Sequence, residues 1–255
     1  MSSTALSVNL NKIALLRNSR EGNYPNPVEY GRLCIEAGCH GITVHPRPDQ
    51  RHIRPDDVHA LAGLCREYDH IEFNVEGNPF AGEIGEYPGF LKLVEATRPD
   101  QVTLVPDNDD QLTSDHGFNL KIDGDRVRPI IQQLHVQGIR VSLFMDPDPE
   151  QIELARNVGA NRIELYTGPF AWAHERGSAD LDELFQRYAE AAKAARDIGL
   201  GVNAGHDLNL DNLARFLQIP DILEVSIGHA FTADSLLMGM KNCVQAYLDI
   251  IQSGN

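Results

Sequence analysis

The chain has 255 residues, room for one large domain or two small ones, and 42% of them are hydrophobic, enough for a substantial core. Its 22 basic against 37 acidic residues leave a formal net charge of -15, which argues against nucleic-acid and membrane-surface roles, since either needs a basic face. Cys34, Cys39, Cys65 and Cys243 form no CxxC pair, the opening MSSTALSVNLNK has no signal-peptide pattern, and no apolar run approaches the roughly 20 residues that cross a bilayer, so a reduced, cytoplasmic setting is expected.

Strand-like runs alternate with helix-period segments along the whole chain. Leu6–Asn11 reads as a strand, followed by a helix over Pro27–Ala37. Gly41–His45 and Ile71–Glu76 are the next strands, with helices over Asp56–Tyr68 and Phe90–Thr97. Gln101–Pro106 and Arg140–Asp146 follow, with helices over Val127–Gln137 and Pro149–Val158. The last strands are Arg162–Thr167, Gly201–His206 and Leu223–His229, with helices over Leu181–Ile198, Leu210–Leu217 and Ala233–Ile251. Gly38, Gly138, Gly159 and Gly199 each stand where a helix needs a left-handed cap before the next strand. Eight strand-then-helix units of this length predict an α/β fold, a (β/α)8 TIM barrel. No low-complexity linker interrupts it, so residues 1–255 are expected to form one domain. Two connections exceed what a simple link requires, 107–125 and 168–180, and such loops at a barrel's catalytic end act as lids or clamps.

Alternation along a strand places a polar residue near its last position at the barrel mouth. Strand one ends Val8-Asn9-Leu10-Asn11-Lys12, and strand two ends in His45, followed by Arg47, Arg51 and His52. Glu72, Asn74 and Glu76 share one face of strand three, with Glu76 nearest the mouth and Glu72 its rival. Strand six carries Glu164, and strands seven and eight end in Gly205-His206 and Gly228-His229. One such His alone is more often a satisfied structural group than a catalyst, and one such Glu alone is as readily an arginine's partner holding the barrel together as a catalyst. His45, Glu76, Glu164, His206 and His229, however, converge on one end of five strands. Histidines and buried carboxylates titrating near neutrality suit repeated proton transfers.

The two Gly-His turns suggest an anion site at loops seven and eight. Arg17, Arg20, Arg47, Arg51 and His52, concentrated after strands one and two, suggest a second. No lysine lies inside strands five to eight, and neither GxSxG nor HExxH occurs, so a Schiff-base lysine, a serine nucleophile and a zinc helix are not expected.

Taken together, SVNLNKIALLRNSR, GITVHPRPDQRHI, FNVEG, LVPD, RIELYTG, VNAGHDLN and SIGHA resemble the pyridoxine 5'-phosphate synthase family over nearly the whole chain. The resemblance implies condensation of 3-amino-2-oxopropyl phosphate with 1-deoxy-D-xylulose 5-phosphate, releasing phosphate and water. It implies acid/base roles for His45, Glu76 and His206, and stabilisation of developing charge by Glu164. By the same resemblance Asn9, Arg20, Gly228 and His229 contact the aminooxopropyl phosphate, and Arg47, His52 and Thr113 the sugar phosphate. Many members have Asp-His where this chain has Asn11-Lys12, and Gly where it has Asp207; all three are expected among the substrate-binding residues. The partners implied are two small phosphorylated substrates and further copies of the chain in a homo-oligomer; no cofactor or metal is expected. Two other readings remain open at this stage. A metal-dependent sugar-phosphate isomerase or epimerase could use Glu76, Asp146, Glu164 and His206 as ligands, and a non-catalytic barrel could simply bind a phosphorylated ligand.

Overall fold

The computed structural model describes residues 4–108 and 111–253. From the amino end run β1 (Ala5–Asn9), α1 (Asn11–Asn18), α2 (Pro27–Glu36), β2 (Gly41–Val44) and α3 (Pro55–Cys65). Next come β3 (Glu72–Gly77), α4 (Phe90–Thr97), β4 (Gln101–Leu104), α5 (Leu120–Val136), β5 (Arg140–Met145) and α6 (Pro149–Val158). The carboxyl half holds β6 (Arg162–Tyr166), α7 (Gly168–Arg176), α8 (Leu181–Asp197), β7 (Gly201–Gly205) and α9 (Leu213–Phe216). It ends with β8 (Ile222–Ile227), α10 (His229–Met238) and α11 (Met240–Ser253). Strands β1 to β8 close into a barrel in sequence order, every pair parallel, with β8 returning to β1. This is the (β/α)8 barrel expected from the alternation.

Strand alternation separates two cores. Leu6, Val8, Ile42, Val44, Val75, Val102 and Leu143 pack outward with apolar helix residues such as Leu61, Ile131 and Ala191. The inward positions are polar instead. Ser7 and Thr43 share a hydrogen bond of 2.7 Å, Thr103 donates to Asn74 at 3.2 Å, and Arg162 reaches Asn203 and Glu224 at 3.1 and 3.3 Å. Buried polar groups cost least when they satisfy one another, and most of this interior does so by contacts across strands, the buried Ser142 hydroxyl being left without a partner among the described residues. It also provides Glu76 and Glu164, at the top of the same inward rows, with a polar floor.

Several boundaries differ from the sequence expectation. Strand one stops at Asn9, because Leu10 caps α1, which buries Ile13, Ala14 and Arg17 and is too short for its period to stand out. Most of the segment expected as a loop over 168–180 is α7, started by Pro169 and burying Phe170, Ala171 and Ala173. Helix α5 begins at Leu120, well before Val127, with Pro129 accommodated inside it. The last helix divides at Gly239, whose φ of 79° breaks the turn between α10 and α11. Of the loop expected over 107–125, residues 109 and 110 lie outside the described residues. Among the described residues no helix is long and apolar enough to cross a membrane.

Candidate active site

A cavity of about 340 Å³ opens at the carboxyl ends of the strands. His45, Glu76, Glu164 and His206 all line it, so the four residues carrying the expected proton chemistry share one space. Asn9, Asn11, Lys12, Arg47, His52 and Thr113 line it as well, as do Asp207, Gly228 and His229. Arg20 does not; it follows α1 and is exposed. Glu72 lies at the opposite end of β3, where it pairs with Arg140, and so is separated from the mouth.

The end of β1 organises the end of β2. The Asn9 side-chain oxygen accepts the Asn11 N–H at 3.0 Å, and the Asn11 side-chain oxygen accepts the His45 N–H at 2.9 Å. A carboxylate at position 11 would supply the same acceptor, so the Asn11 departure preserves this scaffold contact. Asn9 also donates to Glu76 Oε2 at 3.4 Å.

His45 sits between two acids, with Nε2 3.3 Å from Asp107 Oδ2 and Nδ1 3.8 Å from Glu76 Oε2. Burial, then the charges of Arg47, His52 and Arg51, push the His45 imidazole well below its ordinary value. Burial and the neighbouring carboxylates Glu164, Glu224 and Asp107 push Glu76 well above the carboxylate range. Burial thus favours the neutral imidazole of His45 and the protonated form of Glu76, setting a base beside an acid. Glu164 is pushed up to about 8 by burial and by Glu224, while Thr103 donates to it at 3.4 Å. A protonated carboxyl in that place can donate a hydrogen bond to developing negative charge.

The cationic cluster expected after strands one and two divides by role. Arg17 is a structural group: it donates to Asp57 at 2.8 Å and to the His52 carbonyl at 3.1 Å, bracing the connection between β2 and α3. Arg51 donates to Asp49 and to the carbonyls of Gln111 and Leu112, anchoring the loop that follows β4. Arg47 and His52 face the cavity. His52 accepts the Ile53 N–H on Nδ1 at 2.9 Å, and burial together with Arg47 and Lys12 pushes it down to about 3. It is a neutral ring whose Nε2 is left to donate. Lys12 is lowered by burial and Arg47, and Asp207 acts in the opposite direction.

Across the mouth, Gly228 caps α10, so the first N–H groups of that helix meet the cavity where an anion is favoured. A Cβ on Gly228 would press on Asn9 at 3.1 Å. His206 and Asp207 form the other rim, and Asp207 Oδ2 lies 2.9 Å from His206 Nδ1.

Three features escaped the sequence reading. Asp107 is buried, accepts from Ser114 at 3.0 Å and pairs with Arg47, so it ties the Arg47 guanidinium to His45. The strand-end rule that selected His45 and Glu76 applies equally to Asp107, two residues past Val105. Val105, Phe144 and Tyr166 form a separate apolar cluster at the mouth. Trp172, the chain's single tryptophan, joins the wall from α7, a segment read as a loop. Asp146, considered above as a metal ligand, accepts from the Gly117 N–H at 3.2 Å and lies outside the cavity lining. Among the described residues no three His, Cys, Asp or Glu side chains are grouped to hold a metal ion.

The family described as pyridoxal phosphate biosynthesis protein PdxJ matches residues 6–253. A pyridoxine 5'-phosphate synthase from Xanthomonas campestris pv. campestris (strain B100) is 56% identical over 253 residues, covering 99% of this chain and 98% of its own. A pyridoxine 5'-phosphate synthase from Xylella fastidiosa (strain 9a5c) is 52% identical, covering 99% and 96%. Among solved structures, 3-keto-L-gulonate-6-phosphate decarboxylase from Vibrio cholerae superposes with a TM-score of 0.65 over the full length of both chains. At 8% identity that likeness speaks for the barrel alone.

Proposed function

The chain belongs to the PdxJ family, and from that premise we propose that it is a pyridoxine 5'-phosphate synthase. It joins 3-amino-2-oxopropyl phosphate to 1-deoxy-D-xylulose 5-phosphate, releasing inorganic phosphate and water. The observation that carries this reading is the meeting of His45, Glu76 and His206 in one cavity flanked by two anion-favouring rims. Arg47 and His52 hold the sugar phosphate; the Gly228-His229 turn holds the aminooxopropyl phosphate, with Arg20 closing on it. The amine attacks the ketone, and Glu76, whose protonated form burial favours, gives its proton to the departing hydroxyl. His45, neutral at rest, takes the proton shed by nitrogen. His206 serves the later transfers that close and aromatise the ring, and Glu164 donates to the charge that develops between them. The loop after β4, carrying Thr113, keeps bulk water from the reactive enamines.

The chain works as a cytoplasmic homo-oligomer in this reading. Leu236 and Leu237 on α10 stand exposed, as do Leu15 and Leu16 on α1, which packs against it, and the four cysteines are free and buried.

Mixing both phosphates with purified protein and following the absorbance of pyridoxine 5'-phosphate tests the reaction. Turnover that survives exhaustive chelation is expected. Saturable binding without product would favour a non-catalytic barrel, and loss of turnover on chelation a metal-dependent one.

A further inference from the structure

The turn after β7 is held in an uncommon conformation. His206 and Asp207 have φ of 83° and 62°, two successive non-glycine residues on the left-handed side, where side chains strain the backbone. Surrounding contacts enforce it: Thr167 Oγ1 donates to the Gly205 carbonyl at 2.8 Å and also to that of His206, and Asn212 donates to the Asp207 carbonyl at 3.1 Å. The result of this strain is specific. The Asp207 carboxylate is turned onto the ring of the residue before it, 2.9 Å from Nδ1. On the far side of the ring, Nε2 lies 2.8 Å from Thr113 Oγ1, and Tyr166 meets the imidazole edge-on at 5.2 Å between centroids.

A carboxylate can only accept, so a neutral His206 bonded to it carries its proton on Nδ1 and leaves a lone pair on Nε2. We propose that Asp207 is a positioning residue for His206, holding the imidazole in the Nδ1–H tautomer so that Nε2 faces the substrates as a base. The inference rests on the acid/base role given to His206 above. When Nε2 takes a proton from substrate, the Nδ1 proton stays on the ring, and Asp207 remains ionised opposite the new imidazolium. The Thr113 hydroxyl, which this tautomer makes the donor to Nε2, gives up that place to the substrate group being deprotonated. The groups facing this pair are Lys12 from α1, His229 from α10, and Tyr166 from β6. Burial works against the Asp207 charge, but the hydrogen bond from His206 and the charges of His206, His229 and Lys12 outweigh it and hold the carboxyl below its ordinary range.

The test is NMR of protein labelled with 15N-histidine, which distinguishes the two tautomers, with His206→Gln used to assign the signal. At alkaline pH the unmodified chain should show His206 as Nδ1–H alone, and Asp207→Asn should populate the Nε2–H form. Turnover of Asp207→Asn should fall about 10²–10⁴-fold, the range of a lost acid/base group. Its KM should change little, the acidic limb of its pH profile should move to lower pH, and Asp207→Glu should recover part of the loss. An Nε2–H ring in the unmodified chain overturns the proposal. So does an Asp207→Asn variant with the original tautomer and pH profile. Near-normal turnover of His206→Gln would instead remove the catalytic role of His206 and leave the tautomer assignment standing.

Discussion

Glu164 on β6 occupies space that only a glycine at position 205 on β7 leaves free. The strands pair side by side, Leu165 beside Ala204 and Tyr166 beside Gly205, and a Cβ on Gly205 would collide with the Glu164 carboxylate. The collision cannot be relieved cheaply, because the carboxyl is buried and already bonded to Thr103. Gly205→Ala should therefore displace Glu164 while leaving the barrel folded, at about 1–3 kcal/mol of overpacking. Turnover should drop at least about tenfold, in line with losing part of one oxyanion-type donor. Unchanged kcat beside a normal denaturation midpoint would count against a catalytic role for Glu164.

The raised carboxyl of Glu164 makes a pH prediction with a definite sign. Its folded value of about 8 exceeds the ordinary value of 4.5, so the folded state holds this proton more tightly than the unfolded chain does. Between those two pH values the unfolded chain has lost the proton while the folded one keeps it, so this group's contribution to stability declines as pH rises. Glu164→Gln keeps a neutral donor at every pH. Its stability relative to the unmodified chain should climb from pH 5 to pH 8, measured by urea unfolding, and its rate profile should lack the decline expected above about pH 8. A stability difference that does not vary with pH would refute the shift.

Glu76 is predicted to be required for chemistry and dispensable for phosphate binding. Glu76→Gln preserves shape and the contact from Asn9 but cannot deliver a proton. Product formation should fall about 10²–10⁴-fold while inorganic phosphate still perturbs the fluorescence of Trp172, which lines the same cavity. Near-normal turnover would remove Glu76 from the mechanism.

Arg47 and Asp107 are both buried and paired. Removing the guanidinium in Arg47→Ala leaves Asp107 without its counter-charge, a loss of about 3–5 kcal/mol for a buried pair broken on one side. Burial already raises Asp107 and Arg47 opposes that, so the variant's carboxyl should rise further and take a proton more readily. The stability deficit should accordingly shrink as pH falls from 7 to 5, and KM for the sugar phosphate should rise. An equal deficit at both pH values would show that the pair is not the source.

Much of the site was legible because strand ends follow a rule. His45, Glu76, Glu164, His206 and His229 were each found from alternation along a single strand, and all five line the cavity. What escaped depends on contacts that no local pattern encodes. Arg17 and Arg47 look alike in sequence, yet one is bound by Asp57 in the first turn of α3 and the other faces the site with Asp107. Trp172 was missed because a nine-residue helix, α7, is too short for its period to separate it from a loop.

The order of strands and helices, and which end of the barrel carries the chemistry, followed from the amino-acid sequence, because period, capping glycines and strand-end polarity are properties of neighbouring residues. The protonation of His45, Glu76 and Glu164 did not. It is set by burial, by the cations after β2 for His45, and for the two acids by carboxylates from the β4 loop, β6 and β8 brought together across the barrel. The same holds for Asp207, an awkward charge beside a phosphate when read along the chain. Only the left-handed turn at residues 206 and 207 places its carboxylate on the His206 ring, opposite Lys12 and His229.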